Sequence, residues 1–349
     1  MASFASAFAQ SAPKAVDHFR TGYSLLQAKD FRNAAIELDQ AVQIDTTYGD
    51  AYYALGKAQA SLNDYPKSVA ALEAALRHGT SKEQHSARIP ELLGKLYYKS
   101  ALRSREQLRY GEAIQRFEKS LEYQPGNAQA LFTIGDCHMR LRDPDKAEPA
   151  FRAAIEADAK YAWAHKRLGD IHRSRGEMAQ AAQKYEHAIA LDRDLVKAYA
   201  GLAHLRIAGE DFDGAIATLQ QAVKANPSYA EGFVLIGTLL NRLSRHGEAA
   251  EPLQSAASLE PKNAEAHYRL AEARFGTGDF AGVIEAGNRA VRLRRDFYPA
   301  MVILADAHFQ LGEANDARSW YEKAKVDSRF KDYCTYKIQE LDRPADGAE

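Results

Sequence analysis

An all-α chain of stacked helix pairs is what this sequence predicts, and three observations predict it. A small residue returns at one equivalent position as Gly22, Gly56, Gly94, Gly135, Gly169, Ala203, Gly237, Ala271 and Ala305, every 34 residues apart from the steps on either side of Gly94. Two further ladders run Ala34, Ser68, Ala113, Ala147, Ala181, Ala215, Ala249, Val283, Ala317 and Ala41, Ala75, Ser120, Ala154, Ala188, Ala222, Ala256, Ala290, Ala324. Between the ladders, apolar residues recur at helical spacing in two short runs per unit. In Ala128 to Tyr161, Leu131, Ile134, Cys137 and Leu141 mark the first helix, and Ala147, Phe151, Ala154 and Ile155 the second. Asp143 is placed to cap that second helix, with Pro144 at its first position. Small residues at fixed helical positions let neighbouring helices approach closely, so that Leu55, Phe117, Leu168 or Tyr185 can fill the grooves between them.

This periodicity resembles the tetratricopeptide repeat family, whose unit is about 34 residues. The resemblance covers about residues 15–328 in nine copies. The closing Pro of the pattern survives as Pro125, Pro227 and Pro261, while Thr46, Ala159, Arg193 and Arg295 replace it elsewhere. It implies a right-handed α-solenoid whose first helices line a concave groove, and a non-enzymatic scaffold that holds a protein or peptide there.

Along the chain, residues 1–14 form a leader poor in charge. Ala7-Phe8-Ala9 before Gln10 resembles the end of an export signal, but a charged start is missing and Ser3 and Ser6 break the apolar stretch. A signal remnant and a loosely docked leader both fit, so localisation stays open between cytoplasm and export. Asp17 and Asp50 suit the starts of the first helices of repeats one and two. After Gly79 the pattern loosens, and about 79–127 reads as an irregular, enlarged third repeat. Thr80 with Glu83 and Ser81 with Gln84 offer capping boxes, and Pro90 implies a kink or a restart near Ile89. Tyr97 and Tyr110 stand 13 residues apart, seven more than in the regular units. Lengthening both helices by a turn would project a tip carrying Arg103, Arg105, Glu106 and Arg109; solvated charges on a tolerated insertion are the plainer alternative. Repeats four to nine keep register, with turns such as Gly176-Glu177, Glu210-Asp211, Gly278-Asp279 and Gly312-Glu313. Residues 329–342 place Cys334, Ile338 and Leu341 on one face as a capping helix, and residues 343–349 are expected to be a frayed tail.

Composition narrows the function. A repeat array has neighbour interfaces rather than domain boundaries, so 349 residues do not imply several globular domains. A net charge of −1 argues against a nucleic-acid binder, and no apolar run reaches the roughly 18–20 residues of a membrane span. Cys137 and Cys334 are too far apart in the array to pair, and Cys137 reads as a small core residue. There is no P-loop, GxGxxG, HExxH or CxxC. His165 and His172 could share a helix face but lack a convergent carboxylate. No catalytic, cofactor or metal residue is therefore expected.

The inner surface is where partner recognition is expected. If positions two, five, nine and twelve of each unit face the groove, Lys95, Tyr98, Phe132, Trp163, Lys166, Arg173 and Lys197 form a basic and aromatic stripe. Glu231, Glu265, Glu272 and Asp306 make the later repeats acidic. Cations interleaved with rings suit an acidic or aromatic peptide. The family's carboxylate clamp is matched only in fragments by Lys166 and Arg167, with Asp170 where an Asn belongs, and the asparagine ladder of glycosyltransferase-associated arrays is missing. A structural subunit of a bacterial envelope or secretion assembly is the alternative; RNA binding through repeats three to six is a weaker third.

Overall fold

The structure, a computed structural model, describes residues 12–342. The leader before Ala12 and the tail from 343 lie outside the described residues. Among those residues there are 19 helices and no strand. They pair in chain order: α1 (Pro13–Gln27) with α2 (Phe31–Ile44), α3 (Gly49–Ser61) with α4 (Tyr65–His78), α5 (Glu83–Glu106) with α6 (Tyr110–Tyr123), and α7 (Ala128–Arg140) with α8 (Pro144–Ala157). Next come α9 (Ala162–Ser174), α10 (Met178–Leu191), α11 (Val196–Ala208), α12 (Phe212–Ala225), α13 (Ala230–Arg242) and α14 (His246–Leu259). The described residues finish with α15 (Ala264–Gly276), α16 (Phe280–Leu293), α17 (Tyr298–Gln310), α18 (Ala314–Ala324) and the single α19 (Lys331–Leu341). One compact unit ends at Leu168 and a second begins at Gly169, within α9.

Every member of the two ladders on the second helices is fully buried. The small residue of each first helix receives a large side chain sixteen residues later. A Cβ on Gly56 would stand 2.6 Å from Leu72 Cγ, and one on Gly135 2.6 Å from Phe151 Cε1. Glycine is needed there because helix approach leaves no room for a side chain. At Gly287 the roles reverse, and Leu304 of the following helix fills the space at 2.7 Å. The turns repeat as closely. The residue before the second helix's cap has positive φ at all nine: glycine at Gly176, Gly278 and Gly312, but Lys29, Asn63, Leu108, Arg142, Glu210 and Ser244 elsewhere.

Repeat three departs from the expected geometry. The irregularity lies wholly on the N-terminal side of α5, which runs unbroken for 24 residues with Pro90 inside it, while α6 keeps the 14 residues of α4. Ala101, rather than Gly94, is the register residue. It is fully buried in one cluster with Phe117, sixteen residues on, whereas Gly94 lies against Tyr123 and Gln124. Measured from Ala101, the spacing is 45 residues from Gly56 and 34 to Gly135, so one eleven-residue insertion accounts for both odd steps. Eleven residues make about three helical turns, which returns the buried stripe to the same face.

The hairpin tip consequently does not project. Gln107, Leu108 and Arg109 form a turn of the same length as Leu62, Asn63 and Asp64, with Leu108 at φ 61° and Asn63 at φ 58°. Arg103 Nη1 reaches the Asn63 carbonyl at 3.4 Å, which holds the two turns level. Neither expected capping box forms, because α5 starts after Lys82. Thr80 Oγ1 instead meets Ser86 Oγ at 2.8 Å, and the Ser81 amide donates to both Asp50 oxygens at 3.1 Å. His85 then stacks on Tyr53 with centroids 4.5 Å apart. These contacts dock the start of the extended helix on α3.

At the C-terminal end, α19 occupies the place of a tenth first helix. It buries Cys334 and Ile338 against Met301, Ala305 and Tyr321. The face that a paired second helix would cover carries Thr335, Gln339 and Asp342, so it can meet water.

Candidate functional site

With Ala101 as the register residue, Lys95 and Tyr98 fall at positions two and five of their unit. They lie at a cleft of about 330 Å³ in the first unit. Its apolar wall is formed by Leu72 of α4 with Leu92 and Leu96 of α5. Lys57 of α3 and Lys95 and Lys99 of α5 add three ammonium groups, and Gln124 and Asn127 close the far side. Lys95 pairs with Glu91, one helical turn earlier, and that bond lowers the Glu91 pKa. Lys57 reaches over the Tyr53 ring, 5.6 Å from its centroid. Among the described residues, neither Lys57 nor Lys99 has a carboxylate within ion-pair distance. Tyr98 packs edge-on against Phe117 at 5.4 Å, and burial raises its phenol pKa, partly opposed by Arg105.

The remaining stripe residues divide. Phe132 is a correction: only 9% exposed, it packs between Phe151 and Tyr161 at 5.4 and 5.1 Å and belongs to the core. Its position is groove-facing by spacing, but Tyr161 closes over it by donating a hydrogen bond to Gln129 at 2.6 Å. Trp163 is 38% exposed and Lys166 is half-buried, both in the first unit. Arg173 and Lys197 are exposed and belong to the second unit. Thus Lys95 and Tyr98 come together at the cleft, joined by Lys57 and Lys99. Lys99 stands at position six when Ala101 is the register residue, off the stripe of positions two, five, nine and twelve, so that spacing does not find it.

Of the acidic residues of the later repeats, Glu265, Glu272 and Asp306 are engaged within the fold, and Glu231 is exposed. Glu265 meets Arg269 at 2.9 Å and Arg294 at 3.3 Å; Glu272 meets Arg269 at 2.8 Å and accepts from Tyr268 at 2.6 Å. Asp306 is half-buried and accepts from the hydroxyls of Tyr321 and Tyr333. With Glu265 and Glu272 paired to arginines and Asp306 bonded to two phenols, these three do not form an open negative stripe.

His308, Glu313 and Asp316 have ligand atoms within 4.8 Å of one another. The His308–Glu313 pair recurs as His172–Glu177, each at 2.5 Å, with Gln180 in place of the third acid. Bridging the turn between paired helices accounts for both pairs. Asp211 and Asp279 stand at the same turn position, 4.0 and 3.8 Å from Arg206 and Arg274.

A family profile described as "Tetratricopeptide repeat" matches residues 19–83, 98–162, 138–195, 201–259 and 252–297, together well over half of the chain. The chain is 27% identical over 181 residues to "Probable UDP-N-acetylglucosamine--peptide N-acetylglucosaminyltransferase SPINDLY" of Hordeum vulgare, covering 50% of this chain and 19% of that protein. It is 21% identical over 310 residues to "TPR repeat-containing protein MJ1428" of Methanocaldococcus jannaschii, covering 88% and 49%. It therefore spans about a fifth and about half of the length of these two relatives. A solved structure titled "Functional Characterization of Pseudomonas Aeruginosa pilF" superposes with a TM-score of 0.52 at 16% identity, covering 62% of this chain and 99% of that one. That likeness is one of fold. No helix among the described residues is long and apolar enough to cross a membrane.

Proposed function

This chain belongs to the tetratricopeptide repeat family, whose repeats generally mediate protein–protein interaction, and on that premise we propose that it is a non-enzymatic scaffold gripping an acidic segment of a partner protein. The observation that carries the proposal is the cleft walled by Leu72, Leu92 and Leu96 and flanked by Lys57, Lys95 and Lys99. An extended segment can place one apolar side chain in such a cleft while flanking carboxylates meet the ammonium groups. Burying that side chain supplies most of the affinity; the lysines set orientation and approach rate. Trp163, exposed further along the first unit, offers a ring to the same segment.

Panning a displayed random-peptide library on the full chain tests this reading. The selected peptides should carry Asp or Glu beside an apolar residue, and Lys57→Glu with Lys95→Glu should abolish their enrichment. Basic consensus peptides, or selection unaltered by the double change, would refute it.

A further inference from the structure

The second helix of each unit opens at an equivalent cap position, and seven of the nine residues there are acidic, Asp64 and Asp143 among them. An acid in that place offsets the positive end of the helix dipole. The two exceptions are Arg109 and Arg245. Arg245 is neutralised twice, by Asp213 and Glu248, each at 2.6 Å. Arg109 is not. Glu112, its one carboxylate at 3.0 Å, is shared with Arg116.

Arg103 adds to the imbalance. Among the described residues it meets no carboxylate, and its guanidinium makes one long bond, 3.4 Å, to the Asn63 carbonyl. Arg103, Arg109 and Arg116 line a cleft of about 550 Å³ beside the turn between α3 and α4. Asp64, which shares the lining, is offset by Lys67 at 3.1 Å. Three guanidinium groups thus stand against the single carboxylate of Glu112, an excess of two positive charges. The side chains of Asn63 and Gln107 complete a polar wall.

We propose that this cleft binds a phosphate group. A phosphate near neutral pH carries close to the missing two negative charges, and its tetrahedral oxygens can take forked guanidinium donors from several directions at once. A single carboxylate matches neither the charge nor the number of donors. Arg116 is already fixed by Ser100 Oγ and Ser104 Oγ, both at 2.8 Å, so it serves as a rigid wall. Arg103 and Arg109 are the groups that turn to the ligand. A free phosphate and a phosphorylated side chain present the same recognition chemistry.

The test is calorimetric titration of the full chain with inorganic phosphate, O-phosphoserine and glutamate at matched ionic strength. The wild type should bind both phosphate probes saturably and glutamate at least about tenfold more weakly. Tighter binding of phosphoserine would identify a phosphorylated side chain as the source, and tighter binding of inorganic phosphate a free ion. Arg109→Asp restores the acid found in most other units, so its melting temperature should equal or exceed the wild-type value while phosphate affinity falls at least about tenfold. Arg103→Ala, which removes only one long internal bond, should lose affinity similarly and serves if Arg109→Asp does not fold. The proposal is overturned if neither phosphate probe saturates, if glutamate binds as well, or if the folded variants bind phosphate like the wild type.

Discussion

Tyr333 of α19 donates its hydroxyl to Asp306 at 2.8 Å, on the same oxygen that accepts from Tyr321 at 2.6 Å. Burial raises the Asp306 pKa, while the two phenol donors and Lys337 pull it back. A carboxyl whose pKa is raised by folding contributes its stability at low pH, with the proton retained. That contribution is lost as pH rises from the ordinary value, about 3.9, through the raised one. Asp306→Asn removes the titration, so its melting temperature relative to wild type should climb across that window. A pH-independent difference would contradict the burial of this group.

Leu108 holds φ 61° at the turn before α6 and is 69% exposed. A leucine in the left-handed region costs roughly 1–2 kcal/mol, which glycine avoids. Leu108→Gly should therefore stabilise the chain by about 1 kcal/mol in urea unfolding, after the flexibility glycine adds to the unfolded chain. The same exchange at the C-terminal end of a helix interior would destabilise it.

The register of repeat three can be tested by a pair of substitutions. Ala101→Leu must push into the fully buried cluster that contains Phe117 and should cost about 1–3 kcal/mol. Gly94→Ala places its Cβ 3.0 Å from Gln124 Cγ and 3.2 Å from Tyr123 Cβ, contacts that must give by a few tenths of an ångström, against a gain of up to about 1 kcal/mol of helix propensity. It should be close to neutral. A reversed order of severity would return Gly94 to the register position.

Burial pushes the thiols of Cys137 and Cys334 up to about 11. Thiolate is therefore scarce at pH 8, and iodoacetamide should modify neither cysteine in the folded chain. In mild denaturant Cys334 should react first, because among the described residues α19 is the last helix and is held through one face, by Cys334 and Ile338. Modification of Cys137 ahead of Cys334 would contradict that order.

The fold was legible because burial repeats: Ala188 or Ala215 is small for the same reason in every unit, so nine copies speak for one another. Repeat three misled because glycine is a louder signal than alanine, although Ala101 is the residue with Phe117 sixteen positions on. The candidate site was only half legible. Spacing puts Lys95 and Tyr98 on the inner stripe, and they do line the cleft. Phe132 has the same spacing and is core, because the covering ring, Tyr161, comes from the linker to the next unit. Asp306 looked like open charge because the Tyr333 hydroxyl that engages it comes from α19, which helical period cannot place, whereas the Arg269–Glu272 pair, three residues apart on α15, was legible in the sequence.

The most direct measurement is the affinity of a selected acidic peptide for the full chain at two salt concentrations, for the wild type and for Lys57→Glu with Lys95→Glu. The lysines are exposed, so the double variant should melt close to the wild type. Binding by the wild type should weaken as salt rises, since exposed charges are screened within about 10 Å at 0.1 M. The double variant should bind at least about tenfold more weakly at low salt, a loss near 1.4 kcal/mol, and should no longer weaken as salt rises. Equal affinity and equal salt dependence in the two proteins would contradict recognition of an acidic segment at this cleft.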